Sequence, residues 1–424
     1  MPTTNLHTLP NGLLVLTREM HHAPIATCWV WYRVGSRHEA RGLTGLSHWV
    51  EHLLFKGTPS IPRGEIKRLI ARHGGISNGF TSNDYTAYFA TVPADRIDLV
   101  LQIEADRMVN TRFDPNDVEH ERMVIIAERA GHENAPTWWL REAVLATAFQ
   151  IHPYRTPVIG AKRDLQAITR DDLERHYQTY YQPQNAVLVL VGDFATDTIM
   201  RKVEHAFAGV PGGLPLPSVR TVEPAQQEER RVVVCRPDPV QYVQVVYRTP
   251  DCRHPDFAPL MMLDAILSGA KPPSFSNGTQ TNRSARLYRV LVETQRAASA
   301  SSHYFPTYDS RLFELRATVQ DGGTAAMVEA ALITEIARIQ QDGVSEKELL
   351  MVCKQFRAQL AYAGERVASQ AWLLGMWAML DTYTRAELLL DKLSLVRADD
   401  VQRVAQTYLV EHHRTIGHFL PTQH

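Results

Sequence analysis

Two histidines and a glutamate stand at a spacing that suits metal chemistry, in the run His48-Trp49-Val50-Glu51-His52. Positions four apart on a helix share a face, so both imidazoles can bind one ion. Glu51 lies on the same side and can take a proton from a metal-bound water. The order inverts the commoner H-E-x-x-H zinc arrangement. These five residues predict a zinc site, although a histidine pair beside an unrelated glutamate stays open as the alternative.

A catalytic zinc takes three protein ligands and keeps one position open, so a third ligand must come from elsewhere. Seven downstream side chains are candidates: Glu104, Asp106, Glu119, Glu121, Glu128, His132 and Glu142. A helix is predicted from Asp114 to about Ala130, and on it Glu121 and Glu128 face the same way because they are seven residues apart. The apolar run Met123–Ala127 predicts that this helix is largely buried. A carboxylate in such a helix needs a partner, and a metal is the best one available.

The composition is that of an ordinary globular protein. The 424 residues are 44% hydrophobic and 21% charged, which suits two to three domains. Lys and Arg number 45 against 46 Asp and Glu, so no basic field indicates nucleic-acid binding. The four cysteines form no C-x-x-C pair. This pattern argues against a cysteine metal site and favours a reducing compartment.

The N-terminal residues Met1–Leu6 lack the basic and apolar regions of a secretory signal. No apolar run approaches the roughly 18 residues of a membrane span. We therefore expect a cytoplasmic protein with no membrane association. A leader removed before the first residue would instead indicate the periplasm.

The order of predicted elements occurs twice along the chain. Tyr32-Arg33 and Tyr247-Arg248 each end a strand before a helix, at an offset of 215. The stretch Asp171–Tyr180 matches Asp399–Tyr408 in the pattern D-D-x-x-R-x-x-Q-T-Y, at an offset of 228. Two unrelated α+β domains with accidental similarity are the alternative. The repeat predicts an α+β fold of two homologous domains, each a mostly antiparallel sheet packed with helices.

We expect an N-terminal zinc-binding domain at 1–208, a Gly- and Pro-rich linker at 209–229 and a C-terminal homologous domain at 230–424. At an offset of 215 the three motif residues fall on apolar side chains: Leu263, Ile266 and Leu267. The second domain thus keeps the helix without the ligands, and one zinc is expected per chain.

The motif and a glutamate downstream of it resemble the M16 (pitrilysin/insulinase) metallopeptidases, most closely the M16B subgroup. Glu128 ends the run Val-Ile-Ile-Ala-Glu, 76 residues after His52. Further matching stretches are Phe55–Thr58, Gly74–Thr86, His152–Tyr154 and Gly192–Phe194. The resemblance covers essentially the whole chain. It implies that the two domains form one half of a clamshell, in an M16/LuxS-like fold.

The resemblance also implies a role for each motif residue. By position, His48, His52 and Glu128 are the expected zinc ligands, and Glu51 is the expected general base acting on zinc-bound water. Glu121 is the expected carboxylate that orients a ligand or water.

The segment Asn78–Asp84 resembles the family's substrate-binding edge strand. A peptide added there as an extra strand would receive main-chain hydrogen bonds, and the expected contacts are Asn78, Phe80 and Thr81. Turn chemistry is the alternative interpretation of Asn78-Gly79.

Active members of this family carry in the second domain an arginine and, seven residues later, a tyrosine that stabilise the oxyanion. The ungapped match places Val292 and Ser299 there, and neither supplies a cationic or phenolic donor. The resemblance implies a zinc endopeptidase subunit acting on peptides or unfolded segments, completed by a homologous M16B partner in a heterodimer. A self-sufficient homodimer, a non-catalytic structural subunit and an unrelated zinc hydrolase of small substrates are the alternatives.

Overall fold

The structure is a computed structural model that describes residues 3–219, 221–271 and 282–422. Its strands are β1 Thr4–Thr8, β2 Leu14–Glu19, β3 Ile25–Tyr32, β4 Ile76–Thr81, β5 Thr86–Pro93, β6 Ala186–Gly192, β7 Arg230–Pro237, β8 Tyr242–Thr249, β9 Ala297–His303, β10 Arg311–Val319 and β11 Arg414–Thr422. Its helices are α1 Leu46–Leu53, α2 Glu65–Arg72, α3 Ile97–Asn110, α4 Pro115–Glu133, α5 Pro136–Ala148, α6 Lys162–Ala167, α7 Arg170–Tyr180, α8 Thr196–Phe207, α9 Phe257–Ser268, α10 Ala325–Asp342, α11 Glu346–Gly364, α12 Val367–Leu380, α13 Thr384–Ser394 and α14 Ala398–Tyr408.

Two sheets of the same design organise these elements. The first has the strand order β1-β2-β6-β3-β5-β4, and the second has the order β7-β11-β8-β10-β9. Within each sheet one neighbouring pair is parallel, β2 with β6 and β7 with β11, and the others are antiparallel. The α+β prediction of two homologous, mostly antiparallel sheets packed with helices is therefore confirmed.

The strand register reproduces both sequence offsets. Tyr32 of β3 pairs with Ala186, the first residue of β6, and Tyr247 of β8 pairs with Arg414, the first residue of β11. Equivalent positions of β3 and β8 thus differ by 215 residues, and those of β6 and β11 differ by 228. These are the offsets of the two local sequence matches. Strands such as β3 form because they are rich in aromatic and β-branched side chains, which pack on both faces of a buried sheet.

The described chain forms two compact units, and each unit contains a helix from the other half of the sequence. The first unit comprises Met1–Ala130, Thr156–Arg220 and Ala363–Ala386, and the second comprises Gly131–Arg155, Thr221–Tyr362 and Glu387–His424. Helix α12 of the C-terminal half packs on β3 and β6, while α5 of the N-terminal half packs on β7, β8 and β11. No described helix is both long enough and apolar enough to cross a membrane.

Helix α12 packs tightly against the first sheet at a glycine. A Cβ atom built on Gly375 would lie 2.1 Å from Nε1 of the fully buried Trp31. Most of the helix is buried, so neither the helix backbone nor the Trp31 ring can easily move apart to accommodate a side chain. Only a residue without a side chain fits this contact.

We predict that Gly375→Ala lowers the free energy of unfolding by about 1–3 kcal/mol, because the added methyl group overpacks a filled core. Urea denaturation followed by tryptophan fluorescence measures this. Gly131→Ala is the matched control, because Gly131 also lies in a helix and a Cβ there meets nothing within 4 Å. Equal stability of the two variants would contradict the described packing of α12.

Candidate metal centre

Helix α1 holds both motif histidines on one face. Its opposite face is buried through Leu46, Trp49, Val50 and Leu53, which fixes how the helix lies against the sheet. The imidazole rings of the two histidines lie with their centroids 4.7 Å apart. The i, i+4 spacing therefore brings the two rings together as the sequence predicts.

A buried carboxylate anchors the N-terminus of α1. The two Glu39 carboxylate oxygens accept hydrogen bonds from the Gly45 and Ser47 main-chain N–H groups at 2.7 and 2.8 Å. Burial raises the pKa of Glu39 to about 7 despite these hydrogen bonds. Asp164 supports the same turn by accepting from the Thr44 hydroxyl at 2.6 Å. These contacts satisfy donors that a helix start leaves unpaired and fix the position of the residue before His48.

Three side chains of the first unit converge into a group that can hold a metal ion. The Nε2 atoms of His48 and His52 both lie 3.8 Å from Oε2 of Glu128. One ligand atom from each residue lies within 4.8 Å of the others, and no other such group occurs among the described residues. The side chains are 13%, 23% and 40% exposed in that order, so the group opens to solvent.

The donor set and the spacing fit zinc. Two imidazole nitrogens and one carboxylate oxygen are the protein ligands of a hydrolytic zinc site. Ligands about 2.0–2.1 Å from a tetrahedral zinc lie about 3.4 Å from one another. The observed separations of 3.8 Å therefore need only small side-chain movements. Because Glu128 is partly exposed, water and a substrate can reach this group.

The other candidate third ligands have different surroundings. Glu104 is buried and pairs with Arg107 at 2.6 Å. Asp106 accepts hydrogen bonds from two hydroxyl groups in the loop that follows α1. Glu119 pairs with Arg122 of its own helix at 2.9 Å. Two further candidates belong to the second unit: His132 and Glu142.

Glu121 lies behind one of the histidines rather than beside Glu128. Its Oε2 is 2.9 Å from Nδ1 of His52, and its other oxygen pairs with Lys56. Burial alone would raise the pKa of Glu121, but the hydrogen bonds from His52 and Lys56 lower it to about 2. An ionised carboxylate at this distance can accept a hydrogen bond from Nδ1–H of His52, which would leave Nε2 free to bind a metal.

The expected burial of α4 is wrong. Met123 and Val124 are 66% and 38% exposed. The buried positions of the helix recur mainly every three to four residues: Asp117, Val118, Glu121, Ile125 and Arg129. The apolar run is wider than this stripe, so it does not bury the whole helix. The burial argument therefore applies to Glu121 and not to Glu128, which lies on the exposed side.

Glu51 is buried between α1 and strand β4. Its Oε2 accepts a hydrogen bond from the Thr81 hydroxyl at 3.1 Å. A Cβ atom built on Gly79 would lie 3.1 Å from Oε1 of Glu51, from the Phe55 ring and from the Tyr88 ring. Burial raises the pKa of Glu51, and the nearby His52 only partly opposes this. The environment therefore favours proton uptake by this carboxylate.

Strand β4 is an edge of the first sheet, with β5 as its neighbour. An edge strand offers main-chain groups to which an extended peptide can bind. Asn78 is exposed on this strand, and Asn78-Gly79 lies within the strand rather than in a turn. Phe80 faces away from Glu51, and its ring packs against Trp29 and Trp31. Of the three expected substrate contacts, Thr81 lies beside Glu51, Asn78 is exposed and Phe80 faces the aromatic core.

Sequence reasoning missed two residues that surround the centre. The pair Asn78-Gly79 can be taken for a turn from the sequence alone. The signal for a strand is that Phe80 and Thr81 follow it in a run typical of a β-strand. Lys56 follows His52 by four residues, a spacing that places it near the same helix face. Neither pattern shows that the glycine meets Glu51 or that the lysine meets Glu121.

The second unit has apolar residues where the first has the motif. The equivalent residues of α9 are all buried: Leu263, Ile266 and Leu267. They pack in the core and carry no atom that could bind a metal.

Sequence comparison matches two family profiles to the chain. Residues 14–162 match Insulinase (Peptidase family M16), and residues 167–356 match the Peptidase M16 inactive domain. The zinc protease PqqE of Helicobacter pylori is 29% identical over 82% of this chain and 77% of its own length. The probable mitochondrial-processing peptidase subunit beta of Arabidopsis thaliana is 27% identical over the whole of this chain and 79% of its own.

Solved structures resemble the chain over its full length. A protease from Helicobacter pylori superposes with a TM-score of 0.93 at 25% identity, covering 99% of this chain and 100% of that one. A peptidase M16 inactive domain from Pseudomonas fluorescens has a TM-score of 0.87 at 16% identity, covering 99% and 98%. Because the two M16 profiles together match most of the sequence and these folds agree, the chain belongs to the M16 family of peptidases.

Proposed function

We propose that the protein is a zinc-dependent endopeptidase subunit that hydrolyses peptides or unfolded segments. The observation that carries this proposal is the convergence of His48, His52 and Glu128 beside the buried carboxylate of Glu51. Relatives named as zinc proteases support it. A non-catalytic structural subunit would have no need to keep this complete set of residues.

Each residue of the centre has a distinct task in this proposal. His48, His52 and Glu128 hold the metal, and Glu121 keeps His52 in the tautomer that coordinates through Nε2. Bound there, zinc supplies a Lewis acid that polarises the scissile carbonyl and acidifies a water molecule. Glu51 takes the proton of the attacking water and passes it to the leaving amine.

Strand β4 supports a peptide rather than a small molecule as the substrate. It is an edge strand, and it also contributes Gly79 and Thr81 to the surroundings of Glu51. An extended peptide paired with β4 would therefore pass next to the general base. A folded segment cannot offer its main chain in this way, which restricts substrates to peptides and unfolded segments.

We further propose that a homologous partner completes the active site in a heterodimer. Val292 ends a π-helical turn, and Ser299 in β9 donates a hydrogen bond to the Thr318 hydroxyl at 2.9 Å. Neither side chain supplies the arginine and tyrosine donors that the family resemblance leads us to expect. A homodimer that works without this pair is the second candidate, favoured by the intact zinc-binding set.

The purified chain is expected to carry about one zinc. Glu128→Gln removes a charged ligand and should empty the site, whereas Glu121→Gln should weaken zinc affinity by about 10- to 100-fold. Metal content by mass spectrometry after dialysis, together with titration against a zinc chelator, measures both. Full occupancy in Glu128→Gln and an empty site in Glu121→Gln would reverse the assignment of the third ligand.

Glu51→Gln is expected to retain zinc and to lose turnover by about 10²- to 10⁴-fold, because it removes the general base. Cleavage of a quenched fluorescent peptide gives the rate, and metal content of the same sample is the control. Chelation of zinc from the unaltered chain should abolish the same activity. Near-normal cleavage by the zinc-loaded variant would remove Glu51 from the mechanism.

The isolated chain is expected to cleave peptides weakly and to gain activity when a homologous subunit carrying the arginine and tyrosine is added. A gain of about 10²-fold or more corresponds to restoring oxyanion donors. Robust cleavage by the isolated chain that Glu51→Gln abolishes, and that no homologous subunit increases, would favour the homodimer instead.

A further inference from the structure

Helix α2 places a positive charge against the Phe55 ring. The Nζ atom of Lys67 is 4.4 Å from the centroid of the Phe55 ring, a distance at which the cation interacts with the ring face. Lys67 is exposed, while Phe55 is half-buried. The ammonium group is therefore accessible to a ligand.

The Phe55 ring connects this charge to the catalytic centre. The Cβ position of Gly79 is 3.1 Å from both Cε2 of Phe55 and Oε1 of Glu51, so the ring edge and the carboxylate both face the same position of strand β4. The ammonium group lies over this same ring, so it is near the place where peptide hydrolysis is proposed to occur.

Lys67 differs from the other cations around the centre. Arg68 and Arg72 both pair with Glu65, at 3.2 and 2.7 Å. Arg63 pairs with Asp117, and Lys56 pairs with Glu121. Within residues 3–219, 221–271 and 282–422, no carboxylate pairs with Lys67. Its charge is therefore available to a substrate.

The local balance of charge favours an anion. Glu121 is paired with Lys56. Lys67 has no such carboxylate partner among the described residues, and it leaves a positive charge beside the Phe55 ring. An excess positive charge in a partly enclosed site attracts groups of opposite sign and disfavours cations.

We propose that Lys67 and Phe55 form a substrate subsite that selects a carboxylate close to the scissile bond. The methylene groups of a glutamate side chain would lie on the ring, and its carboxylate would meet the ammonium group. The carboxylate can come from an acidic side chain or from the C-terminus of a short peptide. This inference rests on the proposed peptidase function and names the substrate class of the same site.

The test uses the zinc-loaded full chain with Glu51→Gln, which is expected to bind peptides and to cleave them too slowly to disturb a binding measurement. Fluorescent peptides differ by a single Gln-to-Glu exchange at successive positions, each with a free or an amidated C-terminus. At one position the Glu peptide should bind about 2- to 5-fold more tightly than its Gln partner, as for a partly exposed ion pair. Adding Lys67→Gln should remove this difference, and adding Lys67→Glu should reverse it.

Arg68→Gln is the matched control, because it removes a neighbouring charge of the same helix that is already paired with Glu65. It should leave the preference for Glu unchanged. A preference that depends only on a free C-terminus, and is lost in Lys67→Gln, would identify the terminal carboxylate as the ligand. Peptide binding with no such preference, or a preference that survives Lys67→Gln, overturns the inference and leaves the proposed function intact. Absence of any peptide binding to the zinc-loaded chain contradicts the proposed function itself.

Discussion

Compensation of charge is the constraint on which the centre depends. Glu51 and Glu121 are both buried, and carboxylates removed from water need partners. Glu128 is partly exposed and approaches both imidazoles. Glu121 obtains its compensation within the protein, from Lys56 and His52. A divalent cation held by Glu128 and the two imidazoles would stabilise the ionised form of the buried Glu51. The elements around the centre hold these charged groups in position.

The residues that hold the charged groups in position come from elements far apart in the sequence. Glu39 fixes the start of α1, and Gly79 and Thr81 of the edge strand surround the Glu51 carboxylate. The second sheet repeats the strand order of the first, yet its equivalent helix α9 buries an apolar face. The same scaffold thus serves two purposes: one copy positions polar groups at an open surface, and the other packs its helix into a core.

Local patterns were sufficient for the parts of the structure that depend on local spacing. The motif helix, the repeat and its offsets follow from periodicity and from two short matches, and the sheets confirm the repeat. Local patterns could not show that α12 packs on the N-terminal sheet, because an apolar helix does not specify which surface it covers. They also misjudged α4, where five consecutive apolar residues exceed a narrow buried stripe. The contact of Gly79 with Glu51 is equally non-local.

X-ray absorption spectroscopy at the zinc edge tests the central claim most directly, because it reports the ligand set without requiring activity. The account predicts one zinc per chain, with two imidazole nitrogens and oxygen ligands at about 2.0–2.1 Å. Glu128→Gln should remove this signal, because the group at His48, His52 and Glu128 is the only one of its kind among the described residues. A coordination shell with one imidazole or none, or a zinc signal unchanged by Glu128→Gln, would contradict the account.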